Sequence, residues 1–143
     1  MLTVKFEGGK ELEKALLELK TATAKNVTRR SGKKALEPVA AKARHLAPKE
    51  NLDLERSISV STKATHKPKK SDVEIFVGVA KEESKVGIQQ EFGNIHHPAQ
   101  PFMRPAWQAL RFQVLNDLRT TLTIEVDKAA QRARRKAARN GKL

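Results

Sequence analysis

Apolar residues recur along this chain with two periods, and the places where the period changes predict its elements. Leu2, Val4 and Phe6 alternate with polar neighbours, a short strand that Gly8-Gly9 would end. Leu12, Ala15, Leu16 and Leu19 then follow at i, i+3, i+4 and i+7, so a first helix buries one stripe. A second helical stretch begins near Asn26 and sets Leu36, Val39, Ala40, Ala43 and Leu46 on one face. Pro38 lies inside it and withholds an N–H from the carbonyl of Lys34, which predicts a kink or a break. Ala47-Pro48 ends the stretch.

Period two returns next. Ser57 to Thr65 is rich in β-branched residues and alternates Ile58 and Val60 with polar neighbours, and Val73, Ile75, Val77 and Val79 alternate cleanly. These segments most simply pair as an antiparallel hairpin. Its tip, His66 to Ser71 with Lys67, Pro68, Lys69 and Lys70, reads as a solvated turn that resists edge pairing. Finally Trp107, Leu110, Val114, Leu118, Leu122 and Val126 recur every three or four residues, a stripe running from Pro105, which suits the first position of a helix. Unbroken to Arg139, that helix would span roughly 50 Å. The β-branched run Thr120-Thr121-Leu122-Thr123-Ile124 predicts a looser or bent middle. Together these elements predict an α+β fold: a small antiparallel sheet of three or four strands, packed by N-terminal helices and a long C-terminal helix. No repeat or linker divides the chain, so residues 1–143 read as a single domain with a basic helix end protruding from about residue 128.

Composition narrows the function classes. A chain of 143 residues with 38% hydrophobic content, five Phe, one Trp and no Tyr builds a modest core, as expected of a subunit that completes its buried surface in an assembly or of a small basic monomer. Without cysteine there is no disulfide framework and no thiolate ligand or nucleophile. No signal-like or membrane-spanning apolar run occurs, so the expectation is a soluble protein made in a cytoplasm, with no membrane partner. Charge is the strongest compositional feature: 29 Lys and Arg stand against 16 acids, giving +13. After Asp127 no acid occurs, while Lys128, Arg132, Arg134, Arg135, Lys136, Arg139 and Lys142 follow. Other clusters cover Lys25, Arg29, Arg30, Lys33 and Lys34, and Lys63 to Lys70. Such patches favour polyanions through counterion release. They also suit a helix carboxyl end and a soluble surface. No aromatics interleave with them, which argues against a single-strand stacking platform.

Catalytic chemistry finds little support. There is no Walker loop, GxSxG or GxGxxG. His96-His97 with Glu91 lacks a metal-ligand spacing, because adjacent His side chains diverge. Glu50, Asp53 and Glu55 read as capping and first-turn charges rather than paired acids. The densest motif is Glu91-Phe92-Gly93-Asn94 followed by Pro98-Ala99-Gln100-Pro101-Phe102-Met103-Arg104-Pro105-Ala106. By itself it reads as a proline-stiffened loop leading into a helix, with Phe92 and Phe102 pinned to the core and Arg104 bridging to Glu91 or to an adjacent subunit.

This motif, together with Gly9 to Leu12, Ala47-Pro48 and Leu54 to Ile58 in the same order, resembles the neck or tail-completion proteins of long-tailed bacteriophages. Their pattern runs from an early Gly-x-x-x-Leu helix through Ala-Pro and a Leu-x-x-Ser-Ile strand start to Glu-Phe-Gly-Thr and Pro-Ala-x-Pro-Phe-Leu-Arg-Pro-Ala. The likeness extends from about Gly8 to the middle of the last helix. It departs at Asn51-Leu52, where Thr-Gly is common, at Asn94, usually Thr, at Met103, usually Leu, and in lacking an aromatic just before Glu91. The resemblance implies a non-enzymatic virion protein without cofactors, made in the host bacterial cytoplasm. It would form a homo-oligomeric ring in the neck or tail, help join head to tail and line the DNA passage. Its partners would be head-closure, tail-terminator or tail-tube rings, with non-specific contact to genomic DNA. Glu91, Phe92, Gly93, Pro98, Pro101, Phe102, Arg104 and Pro105 would form the assembly motif. Lys128, Arg132, Arg134, Arg135, Lys136 and Arg139 would dock on an acidic ring surface, slightly preferred, or on DNA. The alternative is a small basic nucleic-acid-binding protein unrelated to virions.

Overall fold

The computed structural model describes residues 9–50, 52–62 and 73–141. The strand expected at Leu2 to Phe6 and the turn expected at His66 to Ser71 lie outside them. The order is helix α1 (Gly9–Leu17), α2 (Thr21–Leu46) and α3 (Leu52–Ser57), strands β1 (Ser59–Ser61) and β2 (Phe76–Gly78), a 3-10 turn over Lys81–Glu83, then α4 (Ser84–Phe92) and α5 (Met103–Arg139). The fold is therefore α+β but mostly helical. Among the described residues the sheet has two antiparallel strands, with Ser59 opposite Gly78, Val60 opposite Val77 and Ser61 opposite Phe76. Three or four strands are not seen there.

The framework is the contact between α2 and α5, the most extensive in the fold. Val27, near the start of α2, packs with Leu122, Val126 and Ala129 of α5, whereas Ala43 and Ala47, at the other end of α2, share a cluster with Phe102 and Ala106. The two helices thus run antiparallel. The buried positions on α2 are mostly small, Ala35, Ala40 and Ala43 among them, which lets neighbouring elements approach closely. Packing on both sides of Pro38 overrides its lost hydrogen bond. Val39 and Ala40 follow it into the core, and the helix is neither ended nor divided there. The β-branched run at Thr120 to Ile124 is likewise helical, since Leu122 is held against Val27. At 37 residues α5 extends about 55 Å.

The hairpin lies on α2. A Cβ at Gly32 would overlap the Ile75 side chain, so the missing side chain is what lets the stretch before β2 reach the helix. On the other strand, Arg44 Nε donates to the Ile58 carbonyl at 2.9 Å, anchoring the start of β1 to α2. Leu54 to Ser57, from the strand-start motif of the resembling pattern, are helical instead, and of the strand expected over Ser57 to Thr65 the described residues show Ser59–Ser61. Leu54 and Ile58 are both buried, and their spacing of four is one helical turn.

Helix α4 has no apolar stripe that the chain pattern could reveal. Its buried positions are Gly87 and Glu91, one turn apart, while Ile88 and Phe92 face outward at 61% and 63% exposure. Two cores result: one around Leu54, Ile58, Phe102 and the alanines of α2, the other where α1 lays Leu12, Ala15 and Leu16 against the far end of the α2–α5 pair. Leu54→Ala should cost about 2–5 kcal/mol, because the fully buried side chain leaves a cavity between α3 and α4. Urea unfolding would check this as a lowered midpoint with an unchanged slope.

Candidate assembly site

The motif at residues 91–106 closes on itself through one carboxylate. Phe102 carries no side-chain cap for α5, so the helix begins with unpaired backbone donors. Glu91, from the last turn of α4, supplies the missing acceptor. Its Oε2 accepts the N–H groups of Phe102 at 2.8 Å and Met103 at 2.9 Å, and its Oε1 accepts the Arg104 N–H at 3.0 Å. Arg104 closes the clasp: Nε donates to the same Oε1 at 2.9 Å, and Nη2 donates to the Glu91 backbone carbonyl at 2.8 Å. A negative charge at the positive end of a long helix is also favoured by the macrodipole. Pro105 is the third residue of α5, not its first, and sits where a missing N–H still costs little.

The Glu91 side chain is only 7% exposed. Burial by itself pushes its carboxyl pKa up, but the N–H groups of Met103, Phe102 and Arg104, with the Arg104 side chain, outweigh burial and hold it below the usual glutamate value. It stays ionised at neutral pH. Nothing in this arrangement makes it a general acid or base.

The loop between α4 and α5 is shaped to bring Glu91 and residue 102 together. Gly93 ends α4 with φ 77°, and a Cβ there would lie 2.7 Å from the Ala99 nitrogen, so both conformation and space demand glycine. Asn94 Oδ1 accepts the N–H groups of His96 and His97, each at 2.8 Å, and the Asn94 N–H reaches the His97 carbonyl. This side-chain-to-backbone turn is one a Thr hydroxyl would make more weakly, so Asn94 keeps the chemistry of the position where the resembling pattern has Thr. Gln100 N–H bonds to the Gln90 carbonyl at 2.7 Å. Pro98 and Pro101 are exposed and stiffen the span, and Phe102 is buried at 1% exposure as expected.

Phe92 corrects the reading of the sequence. It is 63% exposed, not buried, because its neighbour Glu91 takes the inward position on α4. The Arg104 guanidinium lies 4.6 Å from its ring centroid, a cation–π contact on the outer surface. Trp107, assigned to the core stripe, is also 46% exposed, with Ala106 taking the buried place beside it. Arg104, Trp107 and Arg111 fall at i, i+3 and i+7 on α5, one flank of the helix, and Arg111 in turn lies over Phe112. Ile88 lies one turn before Phe92 on α4, and Ile95, 93% exposed, is in the loop. The chain pattern gave one usable signal for this surface: Ile88 and Phe92 stand one turn apart and so share a flank of α4, next to the flank of Gly87 and Glu91.

The basic residues lie elsewhere. Lys128, Arg132, Arg134, Arg135, Lys136 and Arg139 are all exposed near the opposite end of α5. Arg134 lines a groove between α1 and α5 together with Leu12, Leu19, Val126, Glu11, Glu18 and Asp127. His96 and His97 are exposed, and both Glu91 oxygens are taken by α5, so the three do not assemble. Among the described residues no group of three or more His, Asp or Glu is placed to hold a metal ion. Asp53 and Glu55 stand in the first turn of α3, and Glu55 pairs with Lys49 at 3.1 Å. No described helix is long and apolar enough to cross a membrane. The chain matches no protein-family model, no curated protein and no solved structure.

Two outcomes test the clasp. Glu91→Ala strips three donors of their acceptor and should destabilise by about 2–4 kcal/mol, whereas Arg104→Ala should cost about 1 kcal/mol or less because its side chain is half exposed. Acid should act in the same direction. The folded carboxyl pKa is lowered, so the clasp contributes fully above the unfolded value of about 4.3 and is lost as pH falls through the folded one. Melting temperature between pH 6 and pH 3 should therefore fall more steeply for the parent than for Glu91→Gln.

Proposed function

We propose that this chain is a non-enzymatic structural subunit of a tailed-bacteriophage virion, a ring-forming neck or tail-completion protein that helps join head to tail and line the DNA passage. The observation that supports this most is the clasp. Glu91, Gly93, Phe102 and Arg104 of the Glu-Phe-Gly and Pro-x-x-Pro-Phe-x-Arg-Pro signature each have a structural task in it, from the carboxylate of Glu91 to the turn at Gly93 and the buried ring of Phe102. The result is a rigid platform with no catalytic constellation, from which Phe92, Arg104 and Trp107 face outward. Large aromatics and Arg at a surface are the side chains that dominate protein interfaces, and Trp and Arg recur among their hot spots. A rigid platform also binds without the entropy cost of ordering a loop.

In this reading the platform packs against a neighbouring copy or an adjoining ring, with head-closure, tail-terminator or tail-tube proteins as partners. The particle would be assembled in a bacterial cytoplasm. A sheet of three or four strands, expected from the alternation along the chain, stays part of the proposed fold. The competing reading, a basic nucleic-acid-binding protein outside any virion, draws on net charge but gives the aromatic platform no task.

Phe92→Ala combined with Trp107→Ala separates the two. Both rings are exposed, so the melting temperature of the isolated subunit should change little, while joining of heads to tails in a complementation assay should fail. Normal joining by the double variant would remove the assembly role of this surface. Sedimentation of the parent with candidate ring proteins should show a complex that the variant does not form.

A further inference from the structure

The far end of α5 has a geometry that net charge alone does not describe. Lys128, Arg132, Arg135 and Arg139 stand at i, i+4, i+7 and i+11, so they share one face of the helix over about 16 Å. Arg134 is not among them; it lines the groove beside α1. Glu125 ties this face to α2. Its Oε2 lies 3.5 Å from Arg30 Nη2 and its Oε1 lies 3.8 Å from Lys128 Nζ, which places Arg30 on the same edge as the stripe. The tertiary fold thus joins a cation from residue 30 to four from residues 128–139. Both cations at Glu125 keep more than half of their side-chain surface in solvent.

We infer that this stripe is a contact for the phosphate backbone of duplex nucleic acid, bound without sequence readout. One observation favours phosphate over the acidic ring surface that the neck-protein resemblance slightly preferred. From Gln131 to Arg139 the helix exposes only Gln, Ala, Arg and Lys, with Ala137 half-buried, so a protein partner would gain almost no apolar burial there. Binding driven by counterion release requires none. The cations are mainly arginines, whose forked donors suit phosphate and carboxylate oxygens alike. And no aromatic accompanies them, which fits a duplex backbone rather than stacked single-stranded bases. The inference does not rest on the virion reading, although a subunit beside a DNA path would use such a face for weak, mobile contact.

The test is binding of the full chain to a random-sequence duplex followed across salt concentrations. Four to five phosphate contacts predict a slope of log K against log salt of about −4. Arg132→Gln, Arg135→Gln and Arg139→Gln together should make that slope shallower by about 3 units and weaken binding more than tenfold at low salt. The same three positions as Lys should keep most of the slope. A control removing equal charge from the other end, Lys42→Gln, Arg56→Gln and Lys85→Gln, should lower affinity much less. Equal losses from the stripe and control triples would show that net charge alone acts, and would overturn the inference. So would tighter binding to polyglutamate than to duplex at matched salt, which would assign the stripe to an acidic protein, or a preference for single strands.

Discussion

Helices α2 and α5 lie antiparallel along a seam whose α2 side is built largely from alanines, and every other element takes its position from that pair. The hairpin rests on α2 where Gly32 makes room for Ile75; α1 closes the far end around Val27. Small residues make such a seam possible because interaxial distance follows the side chains between the helices. The same packing explains why Pro38 does not end α2. One lost hydrogen bond competes with the burial of Ala35, Val39 and Ala40 on either side of it.

The seam leaves the ends of α5 with opposite characters. At its amino end the helix is buried against the core through Phe102 and Ala106, so unpaired backbone donors there would be costly. Glu91 removes that cost and fixes where the helix begins. At its carboxyl end α5 outruns its packing, and the last turns carry charge instead of apolar side chains. Where the helix begins and how it registers on α2 together decide how far it extends. The clasp therefore bears on the placement of the basic stripe about 36 Å away along α5, counted from Arg104 to Lys128.

This division also accounts for two surfaces of different kinds. Near the clasp, Phe92, Arg104 and Trp107 combine aromatic area with a fixed cation, the composition of a protein contact. At the other end the stripe offers charge and almost no apolar area, the composition of a polyanion contact. In the proposed reading, a subunit that meets neighbours through one end and a phosphate backbone through the other takes a place beside a DNA passage, whereas a basic nucleic-acid-binding protein would need only the stripe. The aromatic platform is what separates the two.

The chain pattern by itself predicted the elements that turn one side to the core: the stripes of α1, α2 and α5, and the strand around Val77. It also predicted the burial of Phe102, and it offered Glu91 as one of two partners for Arg104, the other being an adjacent subunit. Only the tertiary structure decided the rest. Helix α4 escaped the pattern because it buries a glycine and a carboxylate and exposes Ile88 and Phe92, the reverse of the usual amphipathic order. Leu54 to Ser57 became a helical turn because the space beneath it accepts Leu54 and Ile58 one turn apart. Periodicity reports which residues prefer to leave water. It carries no record of the backbone donors that a packed helix end leaves unpaired, nor of which distant charges a seam brings to one edge. Those follow from the path of the chain in three dimensions, and they gave Glu91, Phe92 and Arg30 their places.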